Sequence, residues 1–216
     1  MKLFLKNTLT PFHWILIYGF SLLLLRIIIT GELYFIFLAW NLFLAAVPLW
    51  ICKIIEKFHG NIGMGTVLLF AVWLLFLPNT FYVVTDLMHL QNSSGALLML
   101  DVLLILSFAL ICLYLGFASL QKMNKIIIDS FHLRSLIFFN YSILILCSFG
   151  IYLGRFLRYN SWNIISNPKS LFLDCFNFLK YPMENKEVWI FTFGFGLFLI
   201  SIHRLFNKTS YAIDQE

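Results

Sequence analysis

Long hydrophobic runs, separated by short polar segments, dominate the chain. A helix needs about 20 apolar residues to cross the hydrocarbon core of a bilayer, and six runs reach this length. They predict membrane spans near 12–30, 33–52, 65–86, 96–119, 135–153 and 188–206. Only a short turn around Gly31 and Glu32 separates the first two, which predicts a helical hairpin. We therefore predict an all-α, polytopic fold that forms a single integral membrane domain over residues 1–216.

The composition excludes a water-soluble fold. Of 216 residues, 61% are hydrophobic and 12% are charged, whereas soluble domains are roughly 45–50% apolar and about 25% charged. Six spans with their loops use the whole length, so no room is left for a separate soluble domain. The net charge of +5 fits basic loops beside a membrane and gives no indication of nucleic-acid binding.

The distribution of Lys and Arg predicts the orientation. Six spans place both termini on one side of the membrane, together with nine basic residues of the termini and connecting loops: Lys2, Lys6, Lys53, Lys57, Lys122, Lys125, Arg134, Arg204 and Lys208. The other side carries five: Arg155, Arg158, Lys169, Lys180 and Lys186. Since cytoplasmic loops are enriched in Lys and Arg, we predict a multi-pass cell-membrane protein with both termini in the cytoplasm.

The long connection 154–187 predicts an additional helix. In SLFLDCFNFLKY the polar residues Ser170, Asp174, Asn177 and Lys180 form one stripe, and the remaining residues are apolar. This spacing is typical of an amphipathic helix, and Pro168 suits its first turn. Two placements remain open. The helix lies in the outer interface with its apolar face down, or it caps the bundle.

Polar side chains interrupt the third predicted span in the stretch FLPNTFYVVTDLMHL. Pro78 removes a backbone hydrogen bond, which predicts a kink. Asn79, Tyr82, Asp86 and His89 follow at spacings of three, four and three, so they share one helical face. A kinked span with a polar stripe at its outer end is expected to line a wet cavity.

The stretch GIYLGRFLRYNSW, at the end of the fifth predicted span, carries a second set of candidate residues. Gly150 and Gly154 form a GxxxG pattern that lets another helix approach closely. If the helix continues outward, one face presents Arg155, Arg158, Tyr159 and Trp162. Two arginines on one face could bind a carboxylate or phosphate bidentately. The same residues are also ordinary interfacial anchors.

Apart from Arg204 near the end of the last span, the charged residues within the spans map to the predicted outer half of the membrane. Because a charge at the bilayer centre costs roughly 2.5 kcal/mol or more, such groups usually face inward and pair. The acidic candidates are Glu32, Asp86 and Asp101, and the basic ones are Arg26, Arg155 and Arg158. We predict that they converge at one outward-facing pocket.

LFLPNTFYVVTDLMHL and GIYLGRFLRYNSWNI together resemble the signature blocks of a membrane family known as domain of unknown function 1361. The spacing of the hydrophobic runs is also similar, so the resemblance covers most of the chain. It implies a multi-pass membrane protein of bacterial origin. It implies no reaction, substrate or catalytic residue, so the site candidates depend on the physical argument alone.

The candidate chemistry centres on Asp86 and His89, which could act as an acid–base pair. Arg155 and Arg158 would then clamp an anion. Asn79 and Tyr82 would orient the ligand, and Asp101 would tune the local charge. A metal site is disfavoured, because zinc needs about three protein ligands and no HExxH motif is present. No cofactor signature occurs in the sequence, and we predict none.

Several functions remain open. The pocket could bind an anionic lipid head group or a membrane protein partner. In either case the lipid bilayer surrounds the protein. An enzyme that modifies envelope lipids would use the same groups. A transporter or proton-coupled carrier would need a polar path through the inner half, and apart from Arg204 no charged residue of the spans continues there. A non-catalytic membrane subunit would use the pocket only for packing.

Overall fold

A computed structural model of the chain describes residues 2–58, 63–93, 95–131, 135–159 and 166–213. Within these ranges the regular structure is entirely helical. The helices are α1 (Lys2–Thr30), α2 (Phe37–Lys57), α3 (Met64–Phe76), α4 (Pro78–Tyr82), α5 (Ala96–Phe131), α6 (Ile137–Phe156), α7 (Pro168–Lys180) and α8 (Lys186–Ile213), with 3₁₀ segments at Tyr34–Ile36 and Val83–Asn92. Arg134 and Trp162, both used in the sequence predictions, lie outside the described residues.

Six helical segments in the described part of the chain are long and apolar enough to cross a membrane. They are Pro11–Thr30, Tyr34–Lys57, Met64–Gln91, Leu97–Phe131, Ile137–Phe156 and Lys186–Phe206. The prediction of an all-α, six-span membrane protein is therefore confirmed. Helix α5 continues beyond the predicted end of the fourth span at 119, as far as Phe131. Its polar extension is held to α2 by an ion pair between Lys122 and Glu56 at 2.6 Å.

Helix α5 lies at the centre of one part of the bundle, where it packs against α1 and α2. A second packed pair consists of α6 and α8. The short helix α4 contacts α2, α5 and α6, so it joins the two parts. It reaches α6 at the glycines of the GxxxG pattern, where a Cβ added to Gly150 would lie 3.0 Å from Pro78 Cγ. The close approach that the pattern predicts is therefore made by α4.

The third span is interrupted at Pro78, as the sequence predicts. Helix α3 ends at Phe76, and α4 begins at Pro78, which has no N–H to continue the hydrogen-bond ladder. The expectation of one continuous α-helical face is corrected, because the backbone from Val83 onward is a 3₁₀ helix. Residues three apart align in such a helix, so Asp86 and His89 still share one row.

The end of α6 differs from the predicted outward continuation. The helix ends at Phe156, and Arg158 has a left-handed backbone with φ of 60°. The N–H of Tyr159 donates to the carbonyl of Leu153 at 3.1 Å, which closes the helix end around this left-handed residue. Arg155 and Arg158 therefore do not share a helical face, and Arg158 is exposed.

Helix α7 is the predicted amphipathic helix, with Pro168 in its first turn. The Tyr159 hydroxyl donates to the carboxylate of Asp174 at 2.8 Å and lies 3.1 Å from the hydroxyl of Ser170. Phe178 packs against the ring of Phe149 on α6. These contacts hold α7 against the end of α6. Its other apolar side chains stay exposed, namely Phe172, Leu173, Phe176 and Leu179.

Candidate functional site

Four charged residues lie at the same end of the bundle, which we call the polar end. It is formed by the end of α1, the start of α2, the 3₁₀ segment Val83–Asn92, the start of α5 and the end of α6. The sequence predicts one convergent cluster here. The structure instead forms two ion pairs from these four residues, Arg155 with Asp86 and Arg26 with Asp101.

The Arg155–Asp86 pair is buried and extensively hydrogen-bonded. Asp86 is 1% exposed and accepts hydrogen bonds from Arg155 and from the Asn41 side chain, the latter at 3.0 Å. Nε and Nη2 of Arg155 also donate to the Thr85 hydroxyl, at 3.0 and 2.7 Å. Buried charges persist in a low-dielectric interior when they are paired and their remaining hydrogen-bonding groups are satisfied. Both conditions are met here.

The contacts of His89 define its tautomer. Its Nε2 lies 3.3 Å from Nη1 of Arg155, and its Nδ1 lies 3.0 Å from the hydroxyl of Tyr34. Since a guanidinium only donates, Nε2 accepts and the proton resides on Nδ1. A polar row runs from buried Asp86 through Arg155 and His89 to the exposed Tyr34.

This geometry restricts the predicted acid–base chemistry. The Asp86 carboxylate is neutralised by Arg155 and already accepts from Asn41. The lone pair of His89 Nε2 accepts from the same guanidinium. Neither group can take a proton from a ligand until Arg155 moves away. Chemistry at this site would therefore begin with displacement of Arg155.

The second pair lies apart from these groups. Nε and Nη2 of Arg26 donate to the two carboxylate oxygens of Asp101, at 2.7 and 3.4 Å, and the Ser93 hydroxyl donates at 2.5 Å. The Arg26 guanidinium also lies 5.5 Å from the centre of the Phe35 ring. Asp101 is fully buried. The structure thus places Asp101 in a pair that joins α1 to α5, and not beside Asp86.

A groove of about 670 Å³ adjoins the Arg155 pair. Its walls come from α2, α3, α4, α6 and α7, and most of its surface is apolar. The polar residues that line it are Asn41, Asn79, Tyr82 and Tyr159. The Tyr82 ring lies 4.1 Å beneath the Arg155 guanidinium, and Asn41 donates to Asp86. The groove and the ion pair are therefore continuous through these two side chains.

Comparison with known families gives one match. The model of the family described as Protein of unknown function (DUF1361) matches residues 40–202, about three quarters of the chain. The chain belongs to this family. The matched range contains Asp86, His89, Arg155 and the whole lining of the groove, whereas Arg26 lies outside it. No curated protein and no solved structure matches this DUF1361 protein. Its bacterial origin stays a prediction.

The sequence predictions missed Asn41 and Thr85 as partners in the site of this DUF1361 protein. Asn41 carried a usable signal, since it is the one amide side chain in the second predicted span, and polar groups inside spans usually face partners. Thr85 carried none, because a hydroxyl within a helix most often bonds its own backbone. Here the Thr85 hydroxyl donates to the carbonyl of Tyr82 at 2.6 Å and accepts from Arg155.

Three His, Cys, Asp or Glu side chains that could hold a metal together do not occur in the described part of the DUF1361 chain. Asp86 and His89 are neighbours, with 3.8 Å between carboxylate oxygen and Nε2. Asp101, which could have supplied a third ligand, is bound to Arg26. Arg158 and Glu32 are exposed and take no part in either ion pair.

Cys175 on α7 gives a test of where that helix lies. Its thiol lines the groove, and partial burial together with the nearby Asp174 carboxylate raises the pKa of the thiol above its ordinary value. Thiolate is the reactive form, so its maleimide labelling rate should keep rising to a higher pH than that of N-acetylcysteine. Peptide mapping of protein labelled in detergent measures this. A pH profile that coincides with the free thiol would contradict the docked position of α7.

Proposed function

We propose that this multi-pass membrane protein binds the anionic head group of a membrane lipid at the polar end of the groove, with Arg155 as the anion's ligand. One observation carries the proposal. The Arg155 guanidinium is paired with a buried carboxylate and stacked on the ring of Tyr82, a residue that lines the open groove. An arginine held at such a junction suits bidentate binding of a phosphate or carboxylate.

Binding of the anion is an exchange, since Arg155 is not a free cation. All three of its nitrogens have partners, in Thr85, Asp86 and His89. A head-group phosphate competes with Asp86 for the guanidinium. Asn41 remains as a donor to Asp86, and Asn79 and Tyr82 are the nearest polar groups of the groove for the rest of the head group. The affinity depends on the difference in free energy between the Arg155–phosphate pair and the Arg155–Asp86 pair, so we expect it to be modest.

The exchange makes an unusual prediction for Asp86→Asn. This change removes the competing carboxylate and leaves the Arg155 charge without a counterion, so an anionic lipid should bind more tightly than to wild type. The protein would be placed in phosphatidylcholine nanodiscs and titrated with phosphatidylglycerol while its melting temperature is recorded. A ligand at 100 times its Kd stabilises the native state by about 2.7 kcal/mol. We expect phosphatidylglycerol to raise the melting temperature of the wild type and to raise that of Asp86→Asn by more.

Two further variants serve as controls. The double variant Asp86→Asn, Arg155→Gln leaves no buried charge unpaired and should lose the response to phosphatidylglycerol. Arg204→Gln removes an arginine of α8 that donates to the Tyr141 hydroxyl at 2.7 Å near the start of α6, at the opposite end of that helix from Arg155, and it should respond as wild type does. If wild type does not respond, or all four proteins respond equally, Arg155 is not the anion's ligand.

A lipid-modifying enzyme is the second candidate, because of the position of His89. When a phosphate draws Arg155 away, the lone pair on Nε2 loses its donor and becomes available as a general base. Tyr34 holds the ring through Nδ1 in the required orientation. Under this reading, His89→Asn should retain the phosphatidylglycerol response and abolish any conversion of the bound lipid. Unchanged conversion in that variant would exclude His89 as the base.

The proposal includes an orientation in the cell membrane, with both termini in the cytoplasm and the polar end outside. The end of the bundle opposite Arg155 carries the C-terminal parts of α2 and α5, with Lys53, Lys57, Lys122 and Lys125. Basic residues at one end support a cytoplasmic position for that end. The lipid head group bound at the polar end would then belong to the outer leaflet.

A further inference from the structure

We infer that the groove beside Arg155 holds the hydrocarbon chain of the bound lipid, so that the ligand is an amphiphile taken sideways from the bilayer. This inference rests on the proposed function, because the head group at Arg155 defines which end of the chain lies where. It adds the class of ligand and its route of entry. The polarity, the length, the opening and the volume of the groove support this placement of the chain.

The groove changes from apolar to polar along its length. Leu68, Ala71, Val72 and Leu75 form a continuous apolar stripe on α3, and Asn79 and Tyr82 follow on α4. Leu68 and Tyr82 are fourteen residues apart, which corresponds to about 20 Å of helix. Half of a bilayer's hydrocarbon core is about 15 Å thick. The stripe is thus long enough for one chain of one leaflet, with its polar end at the head-group position.

The apolar part of the groove opens to the side of the bundle. The residues on its rim are exposed, with Leu68 at 60%, Trp40 at 55% and Leu146 at 48%. In a spanning protein, side chains at this level contact the hydrocarbon region of the bilayer. A chain can therefore slide from the bilayer into the groove without crossing water. The head group would follow along the interface toward Tyr82 and Arg155.

The volume of the groove, about 670 Å³, suits a small ligand such as a single lipid chain. Ligand pockets for small molecules range from about 300 to 1,000 Å³. Gly150 and Gly154 let α4 lie close to α6 at the polar end, since a Cβ on Gly150 would lie 3.0 Å from Pro78 Cγ and one on Gly154 would lie 3.6 Å from the Tyr82 ring.

The test uses phosphatidylglycerol with a diazirine in its acyl chain, added to wild-type protein in phosphatidylcholine nanodiscs. After illumination, labelled peptides are mapped by mass spectrometry. We expect labelling concentrated on peptides around 68–75 and 146–154. The variant Ala71→Trp fills the groove from an exposed position, so labelling of those peptides should fall several-fold. Leu197→Trp, on an exposed face of α8 outside the groove, should label as wild type does.

The outcomes separate this inference from the proposed function. Labels spread evenly over the lipid-facing helices and unaffected by Ala71→Trp would overturn the inference. The proposed function would still hold if phosphatidylglycerol continued to raise the melting temperature. Conversely, groove labelling that a diazirine-bearing phosphatidylcholine gives equally, with no effect of Asp86→Asn, would support chain binding and reject the anionic head group. Unliganded melting temperatures near wild type show that the two tryptophan variants fold.

Discussion

Replacing Asp101 with alanine should lower the free energy of unfolding by about 3–5 kcal/mol, because it leaves the buried Arg26 charge without its partner. Arg26 is 8% exposed and Asp101 is fully buried, and two N–H groups of Arg26 bond the carboxylate. The Ser93 hydroxyl loses its acceptor in the same change. The measurement is unfolding by SDS titrated into mild-detergent micelles, with helix content as the signal.

We expect this loss of stability to result from breaking the ion pair, and not from the absence of one charge in itself. The double variant Arg26→Met, Asp101→Leu removes both charges and should recover most of the lost stability, as buried ion pairs often tolerate apolar replacement. Glu56→Ala is the matched control, since it breaks an ion pair with Lys122 in which Glu56 is half exposed, and such pairs contribute about 0–1 kcal/mol. Equal losses for Asp101→Ala and Glu56→Ala would show that the Arg26 pair is not buried as described.

The number of spans and the place of the interruption could be predicted from sequence because each depends on local chemistry. Hydrophobic length sets a span, and a proline without an N–H ends a helix wherever it stands. The gathering of Arg26, Asp86, Asp101 and Arg155 at one end followed from the same reasoning, since burial energies apply to each residue separately. These features need no knowledge of which helices are neighbours.

The choice of partners depends on helix neighbours, and the sequence does not contain that information in readable form. Asp101 pairs with Arg26 because α1 packs on α5, and Asp86 pairs with Arg155 because α6 approaches the 3₁₀ segment after α4. Arg158 left the predicted helical face because the chain turns through a left-handed residue there. Glycine usually indicates such a turn, whereas an arginine in the sequence does not.

The groove is a further feature that local patterns do not show. Its two main walls are α3 and α6, and α4 reaches α6 near Pro78. The apolar stripe on α3 is indistinguishable in sequence from an ordinary lipid-facing surface. What makes it a groove is the separation of the two helices beside their contacts, at Pro78 with Gly150 and at Phe70 with Phe139, and that separation depends on how closely α4 can approach its neighbours.

Gly116 controls one of these approaches, and Gly116→Ala should destabilise the protein by about 2 kcal/mol. Helix propensity alone predicts the opposite, a gain of about 1 kcal/mol for alanine over glycine. An added Cβ would lie 2.7 Å from Cε1 of Phe81 and also overlap the hydroxyl of Thr80. Both side chains are fully buried, and overpacking a core typically costs 1–3 kcal/mol. Unfolding in SDS micelles measures the change.

The sign of this effect distinguishes a packing role from a general property of glycine in helices. Gly194→Ala is the matched control, because nothing lies within 4 Å of a Cβ added there, so that variant should keep or slightly raise stability. Adding Phe81→Leu to Gly116→Ala should relieve part of the overlap and recover stability relative to Gly116→Ala alone. A gain in stability for Gly116→Ala would mean that α4 does not rest on α5 at this point. Because α4 carries Asn79 and Tyr82, the floor of the proposed head-group site would then lose its support as well.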